Sequence, residues 1–224
     1  MELTAAAAGL NSIFAGYDQA ILDLMHRLAV SAGGLLTPLA RFITLLGEKG
    51  LIFFLAAVVL MLFPRTRKAG VCMFGAVCCG ALITNVILKD MVARPRPFEA
   101  SELFRQYWIA VGSPAEDGFS FPSGHVTAAA AGMVSLCLSR GRKWVLPTVV
   151  WVLLMAFSRN YLMAHYPSDV LCAALIGTAS AFIAWAITKG IFRLLERHDD
   201  IPLCALLLDF DIRALRQLGY KGKH

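Results

Sequence analysis

The stretch Phe119–His125 combines a proline, small polar residues and a histidine at the start of an apolar run. Pro122 suits the first position of a helix, because its missing N–H would have no partner there, and we expect the helix to begin at this residue. The free N–H groups of a first helical turn attract anions. Ser123 adds a hydroxyl, Gly124 lets an anion approach the backbone, and His125 can exchange a proton. The pattern is typical of a phosphate site with an acid–base group, although a helix cap with an incidental histidine fits this stretch equally well.

A second pair of ionisable residues, His165 and Asp169, lies four positions apart around a proline. Pro167 predicts a helix that begins between them, so the carboxylate falls in the first turn, where the helix dipole favours negative charge. We expect Asp169 to accept the Nδ1 proton of His165 and to leave Nε2 unprotonated as a nucleophile. The alternative is that Asp169 only caps the helix and that His165 is an interfacial turn residue.

Three basic residues, Lys89, Arg96 and Arg159, lie at the ends of apolar runs, where charges are costly unless they are paired or functional. Each alone could anchor a helix at the membrane interface, but together they can neutralise a phosphate dianion and its developing charge. A metal site is not expected, because these cations would repel a divalent ion and the carboxylates that recruit one are missing. The other acidic residues nearby are interpreted as solvated loop charges: Asp90, Glu99, Glu102, Glu116 and Asp117.

The composition predicts a membrane protein. The chain is 58% hydrophobic and 16% charged, whereas soluble domains carry about 25% charged residues. The net charge of +6 comes from basic residues in short loops and the tail, which indicates positive-inside orientation and not nucleic-acid binding. The six cysteines lack the spacing of a zinc site. We therefore expect an all-α, polytopic transmembrane bundle without a cofactor.

The apolar runs predict five or six membrane spans in three regions. Residues 1–47 are expected to form two amphipathic helices, one of them a candidate span, residues 48–195 the membrane core, and residues 196–224 an amphipathic cytoplasmic tail. Residues 90–121 are expected to form a polar loop at the membrane–water boundary. The predicted spans of the core are Leu51–Phe63, Ala69–Leu88, Pro122–Leu138, Trp144–Phe157 and Ser168–Thr188.

The basic loops predict which groups share a side of the membrane. Loops 65–68 and 140–143 and the tail from Lys189 are separated by even numbers of predicted crossings, so the positive-inside rule places them all in the cytoplasm. The extracytoplasmic side then receives residues 89–125 and 158–169. Every candidate site residue therefore faces that side at one depth.

Three motifs, in this order, resemble the signature of the type 2 phosphatidic acid phosphatase family. They are Lys89-x6-Arg96-Pro97, Pro122-Ser123-Gly124-His125 and Ser158-Arg159-x5-His165-x3-Asp169. The resemblance covers about residues 50–190, without a departure from the family's spacing. It implies a bundle with an acid phosphatase/vanadium haloperoxidase-like core and metal-independent hydrolysis of a phosphomonoester or pyrophosphate through a phosphohistidine.

The same resemblance implies roles for individual residues. His165 attacks phosphorus, Asp169 orients it, and His125 protonates the leaving oxygen and then activates water. The residues that hold the phosphoryl group are Lys89, Arg96, Ser123, Gly124 and Arg159. The expected partners are the bilayer of the cell membrane and a lipid phosphate, with undecaprenyl pyrophosphate favoured over phosphatidylglycerol phosphate, phosphatidic acid and diacylglycerol pyrophosphate.

Two other function classes stay open. A related haloperoxidase would hold vanadate in the same pocket, but such proteins are typically soluble. A non-enzymatic lipid-phosphate binding or transport protein needs cations but no nucleophilic histidine. Arg94 and Arg105 are candidates for contacting a second phosphate, with anchoring of the loop as the alternative.

Overall fold

A computed structural model describes residues 3–213 and contains only helices and connecting turns within that range. Its α-helices are α1 (Ala5–Ser31), α2 (Thr37–Leu46), α3 (Leu51–Met61), α4 (Pro64–Ala81), α5 (Lys89–Val92), α6 (Pro97–Ala100), α7 (Glu102–Ala110), α8 (Gly124–Arg140), α9 (Val145–Tyr161), α10 (Pro167–Arg197) and α11 (Pro202–Asp209). Three continuous stretches within this range are long and apolar enough to cross a membrane: Thr37–Met61, Pro64–Ala100 and Pro167–Arg197. The predicted all-helical membrane fold is therefore confirmed, whereas the number of spans stays a prediction.

The core forms where α10 packs on α8 and α4, with α3 and α9 outside them. Small residues allow the backbones to approach closely, as is usual for membrane helices. A Cβ atom at Gly177 of α10 would lie only 2.4 Å from the carbonyl oxygen of Thr127 on α8. A Cβ atom at Gly70 of α4 would lie 2.6 Å from the carbonyl oxygen of Ala57 on α3. These contacts fix the relative depth of the helices that carry the candidate site.

The start of α8 differs from the prediction. The helix begins at Gly124, Ser123 is its N-cap in an extended conformation, and Pro122 follows a cis peptide bond outside the helix. The preceding chain is not helical and bends at Phe121 and Pro122, and Ser120 is bonded to another segment: its N–H donates to the carbonyl oxygen of Arg94 at 2.7 Å. Pro122 is therefore not the first helical residue.

The predicted polar loop at residues 90–121 contains helices α5, α6 and α7. Their apolar side chains pack among themselves and against the bundle: the Phe98 and Trp108 rings stack with centroids 4.6 Å apart, and Phe104 packs against Leu22 of α1. The α10 helix also runs past its predicted end at Thr188 to Arg197. Helix geometry thus continues beyond the apolar runs at both ends of the bundle.

The two ends of the bundle carry different groups. At one end, Lys68 pairs with Glu196 at 2.5 Å, and Arg140 donates to the carbonyl oxygen of Arg65 at 3.0 Å. Arg67 at this end also donates to the carbonyl oxygen of Leu207 in α11 at 2.9 Å. The residues predicted as a loop at 65–68 form the start of α4, and they meet residues 140–143 and the first part of the tail. Residues 214–224, which belong to the predicted amphipathic tail, lie outside the described residues.

The long helix α1 lies against the other end of the bundle. The hydroxyl of Thr4 donates to the carbonyl oxygen of Val92, and the buried Leu22 packs with Met163 in the turn before α10. Asp18, also buried, accepts a hydrogen bond from the N–H of Ser168 at 2.8 Å. Because all of these partners lie at the end that carries the predicted site, α1 covers that end of the molecule.

Candidate functional site

A cavity of about 860 Å³ opens at the end of the bundle that α1 covers. Five predicted site residues line it: Lys89, Arg96, Gly124, His125 and His165. Arg159 is fully buried beside the cavity and pairs with a glutamate that lines it. Ser123 and Asp169 are buried behind the lining. The structure thus brings the three motifs together, although not every residue occupies the predicted place.

A π-helical segment, Leu82–Leu88, follows α4 and places Lys89 at the cavity. Such segments are rare and are often found at functional sites. Thr84 in this segment donates to the Thr127 hydroxyl of α8 at 3.1 Å, which ties the segment to the helix that carries His125. Asn85, which the sequence analysis did not select, also lines the cavity next to Gly124.

The Arg96 guanidinium is held by backbone carbonyl groups. It donates to Gly118 at 2.9 Å, to Asp117 at 2.7 Å and to Ala164 at 2.7 Å. These bonds join the chain before α8 to the turn before α10. A guanidinium has five N–H donors, so the three carbonyl bonds leave N–H groups of Arg96 for a carboxylate or a phosphate, while its charge acts on the cavity.

Glu116 is bound by two of the predicted phosphate-binding arginines. Its carboxylate accepts a hydrogen bond from Arg159 at 2.5 Å and lies 3.3 Å from a guanidinium nitrogen of Arg96. The interpretation of Glu116 as a solvated loop charge is therefore wrong. No spacing rule singles it out, because only the folded loop carries residues 112–117 over the cavity. A carboxylate that bridges two arginines occupies the kind of position in which an anionic ligand would bind.

The His165 ring is 2% exposed and lies in the turn between α9 and α10. Its Nδ1 atom is 2.6 Å from the carbonyl oxygen of Ser120. Since a carbonyl can only accept, Nδ1 carries the proton and Nε2 has the free electron pair. Burial lowers the pKa of His165 well below its usual value of 6.5, and the positive charges of Arg159 and Arg96 lower it further. The bond to Ser120 opposes this shift.

The predicted hydrogen bond from His165 to Asp169 is wrong. The Asp169 carboxylate turns back toward the start of its own helix and accepts from the Tyr166 N–H at 3.1 Å, forming a capping box. It also accepts from the Ser120 hydroxyl at 2.5 Å. Asp169 and the His165 ring therefore both bond Ser120, a residue just before the Pro-Ser-Gly-His motif that was not predicted as a site residue.

Arg94 is 1% exposed and is surrounded by acceptors. It donates to Asp169 at 2.6 Å, to Asp18 of α1 at 2.8 Å and to the Ser168 hydroxyl at 2.8 Å. With its donors occupied inside the protein, Arg94 cannot contact a second phosphate, so that suggestion is wrong and the anchoring role holds. Arg105 is exposed on α7 and is not among the residues that line the cavity.

His125 lies in the first turn of α8 and faces the cavity. Its Nε2 atom is 3.4 Å from a carboxylate oxygen of Glu48 but makes no hydrogen bond. Two further buried polar atoms at the site also lack a partner, the Ser123 hydroxyl and Nε of Arg159. Because buried polar groups are normally paired, three such atoms around one cavity indicate a polar ligand.

The sequence comparisons agree with the motifs. A family model described as the PAP2 superfamily matches residues 69–193. The chain is 28% identical over 140 residues to an undecaprenyl-diphosphatase of Sulfolobus acidocaldarius. The matched residues make up 62% of this chain and 65% of that protein, which is less than two thirds of its length. It is 30% identical over 181 residues to a decaprenylphosphoryl-5-phosphoribose phosphatase of Mycobacterium tuberculosis, covering 80% of this chain and 96% of that one.

The comparison with solved structures agrees with the fold. The crystal structure of a transmembrane PAP2 type phosphatidylglycerolphosphate phosphatase from Bacillus subtilis superposes with a TM-score of 0.62. The superposition covers 83% of this chain and 92% of that one, at 22% sequence identity. Since the family model spans more than half of the sequence, this chain belongs to the PAP2 superfamily.

Proposed function

We propose that this protein is an integral-membrane lipid phosphatase that hydrolyses a phosphomonoester or pyrophosphate lipid through a phosphohistidine at His165. One observation carries the proposal: a histidine with a free Nε2 atom, a second histidine and three cations converge on one cavity. A protein that only binds a phosphate needs the cations but not a buried, oriented imidazole. The phosphatase names of the relatives support the same reaction class.

In the proposed first step, Nε2 of His165 attacks phosphorus while the bond to the leaving oxygen breaks. The Ser120 carbonyl keeps the proton on Nδ1, and it stabilises the positive charge that the ring acquires as the bond forms. His125 gives a proton to the leaving oxygen. In the second step His125 takes a proton from water, and the hydroxide displaces His165 from phosphorus.

Charge around the cavity supports stabilisation of the transferred phosphoryl group. Lys89 and Arg96 line the cavity, Arg159 lies buried beside it, and the N-terminus of α8 adds its free N–H groups. In our proposal the phosphate takes over the arginine contacts that Glu116 makes in the structure. Removal of this carboxylate by Glu116→Gln is accordingly expected to strengthen inhibition by orthovanadate, an analogue of the phosphoryl group.

For the substrate we favour a polyprenyl phosphate or pyrophosphate, with undecaprenyl pyrophosphate first. Two relatives are named for activity on polyprenyl-linked phosphates. The cavity also has apolar lining from several elements, including Leu45, Val77 and Ala81, against which a lipid chain can lie. Phosphatidylglycerol phosphate, phosphatidic acid and diacylglycerol pyrophosphate are the alternatives.

We place the cavity at the extracytoplasmic face of the cell membrane. The support is the separation of the two ends of the bundle: the contacts of Arg65, Lys68 and Arg140 lie at the end opposite the cavity, and positive loops face the cytoplasm. Right-side-out vesicles should therefore hydrolyse an externally added, impermeant phosphate ester. Hydrolysis only by inside-out vesicles would overturn the orientation.

Purified protein in detergent provides the direct test of the function. Phosphate release is measured, with and without a chelator, from five lipids: a polyprenyl phosphate, undecaprenyl pyrophosphate, phosphatidylglycerol phosphate, phosphatidic acid and diacylglycerol pyrophosphate. We expect release from at least one class, undiminished by the chelator, and an acid-labile phosphoenzyme during turnover. Loss of activity on chelation would indicate a metal mechanism, and inactivity toward every phosphate would refute the phosphatase.

A further inference from the structure

The helical stretch Thr37–Met61 is interrupted beside His125. Between α2 and α3 the chain makes a short turn at Glu48–Gly50, in which Lys49 (φ 49°) and Gly50 (φ 68°) adopt the left-handed conformation. A residue other than glycine rarely adopts this conformation, and such strain is concentrated at functional sites. Irregular backbone at membrane depth is tolerated where it lines a cavity, and Glu48 and Lys49 both line the cavity described above.

Glycines on both sides of this turn permit its close approach to α8. A Cβ atom at Gly47 would lie 3.3 Å from Cδ2 of His125, and one at Gly50 would lie 3.1 Å from Cβ of Ala128. The approach brings a carboxylate oxygen of Glu48 to 3.4 Å from Nε2 of His125. The Glu48 side chain is about half exposed, at 52%, whereas that of His125 is 17% exposed.

The charges around His125 make this carboxylate important. Lys89, Arg96 and Arg159 bring three positive charges to the cavity from neighbouring elements, and a nearby cation disfavours a further positive charge. The His165 ring also faces the cavity, and Lys49 adds a further positive charge to the lining. Glu116 is engaged by the two arginines. A general acid must nevertheless carry its proton when the substrate arrives.

We propose that Glu48 is a positioning residue for His125, whose carboxylate holds the ring and stabilises the protonated form that donates to the leaving oxygen. This inference rests on the proposed phosphatase function. With Nε2–H held toward Glu48, the imidazolium gives its Nδ1 proton to the leaving oxygen as the P–O bond breaks, and Nδ1 of the neutral ring regains a proton from the attacking water. Glu48 forms no bond to the substrate and faces the imidazolium at the beginning and end of each cycle. It lies outside the family-matched residues 69–193, so the N-terminal part of the chain supplies it.

The test compares leaving groups. Glu48→Gln removes the charge with little change of size, Glu48→Asp retains the charge, and Glu102→Gln is a matched control at an exposed position on α7. Each protein is assayed on the best alkyl phosphomonoester of the lipid panel and on p-nitrophenyl phosphate. An alcohol leaves poorly without a proton, whereas nitrophenolate leaves without one.

We expect Glu48→Gln to lower kcat on the alkyl ester by about 10- to 100-fold, part of the usual contribution of a general acid. The nitrophenolate burst of the first step on p-nitrophenyl phosphate should change by less than about threefold, because nitrophenolate leaves without a proton. The descending limb of the pH profile on the alkyl ester should move to lower pH. Glu48→Asp should recover most of the alkyl activity, and Glu102→Gln should match the unmodified protein.

Equal losses on both substrates, an unchanged pH profile or full alkyl activity in Glu48→Gln would overturn the inference. Retained p-nitrophenyl phosphate activity also reports that the variant is folded. Failure of the unmodified protein to hydrolyse any phosphate would instead refute the proposed function, so the two failures are distinguishable.

Discussion

The two sides of the cavity differ in how their polar groups are satisfied. Behind the His165 ring, each buried group that the mechanism uses has a partner, in a continuous series from His165 through Ser120, Asp169 and Arg94 to Asp18. On the side of α8 and α9, the Ser123 hydroxyl and Nε of Arg159 are buried without a partner among residues 3–213, and Nε2 of His125 makes no hydrogen bond there, although the Glu48 carboxylate lies 3.4 Å away. The difference indicates that the bonded groups hold the nucleophile rigidly, whereas the unbonded groups on the other side are free to bind a ligand.

The largest expected effect comes from the nucleophile itself. His165→Gln removes the nitrogen that attacks phosphorus, and we expect kcat to fall by about 10⁴-fold or more, which corresponds to about 5 kcal/mol of lost transition-state stabilisation. The variant should also form no phosphoenzyme in a rapid-quench experiment. His125→Ala is the matched comparison, because it removes the acid from the same cavity and leaves the nucleophile in place.

Retained turnover in the His165→Gln protein would refute the covalent mechanism. With an alcohol leaving group, His125→Ala should also abolish detectable turnover. Both variants should remain folded, which thermal melting in detergent will check.

The next effect concerns the supporting series. Arg94→Met leaves the buried carboxylates of Asp18 and Asp169 facing each other's charge without a cation, and breaking a buried pair in this way costs about 3–5 kcal/mol. We expect a clear fall in the melting temperature together with loss of activity. Arg105→Met, at an exposed position on α7, should change neither. Unchanged stability in Arg94→Met would show that the ion pairs of Arg94 with Asp18 and Asp169 do not stabilise the fold.

Two serines provide the clearest comparison between the two sides of the cavity. Ser120 and Ser123 are both fully buried just before α8. The Ser120 hydroxyl donates to Asp169, whereas the Ser123 hydroxyl has no partner within the described residues and makes no cap bond. Ser120→Ala should cost about 1–3 kcal/mol of stability, because a carboxylate loses its donor. Ser123→Ala should leave the melting temperature unchanged or raised.

Loss of the Ser123 hydroxyl should affect activity more than stability. Ser123→Ala is expected to weaken orthovanadate inhibition and to lower kcat/KM by about 10- to 100-fold, as for loss of one donor to the transition state. Equal stability losses in the two alanine variants would remove the distinction between the supporting side and the ligand side.

The smallest effect concerns pH. Because burial and the neighbouring cations lower the pKa of His165, its ring should stay neutral as the pH falls from 7.5 to about 6, whereas a ring with the usual pKa would become mostly protonated. The folded state favours the neutral ring, so this group's contribution to stability is retained above the unfolded pKa and declines below it. Histidine ¹⁵N NMR in micelles, with the His165 signal assigned by its Gln variant, measures the titration. A midpoint at or above 6.5 would contradict the expectation.

Prediction of the site from the sequence succeeded where function depends on residue type and spacing. The motifs identified residues that meet at one cavity, and the basic loops predicted that Arg65, Lys68 and Arg140 would share the opposite end. It failed where a side chain could choose between partners. A carboxylate four residues after His165 can reach either the ring or its own helix start, and only the position of the Ser120 segment decides between them.

The helical membrane fold and most of the chemical groups of the site could be predicted from residue order, because apolar run length and motif spacing are local properties of the chain. The acidic groups around the site emerge only from packing: Glu116 on the arginines, Asp18 beside Arg94, and Glu48 beside His125. These carboxylates lie far along the chain from one or more of their partners. Their partners are therefore set by how the helices and loops pack, and no pattern of neighbouring residues encodes that distance.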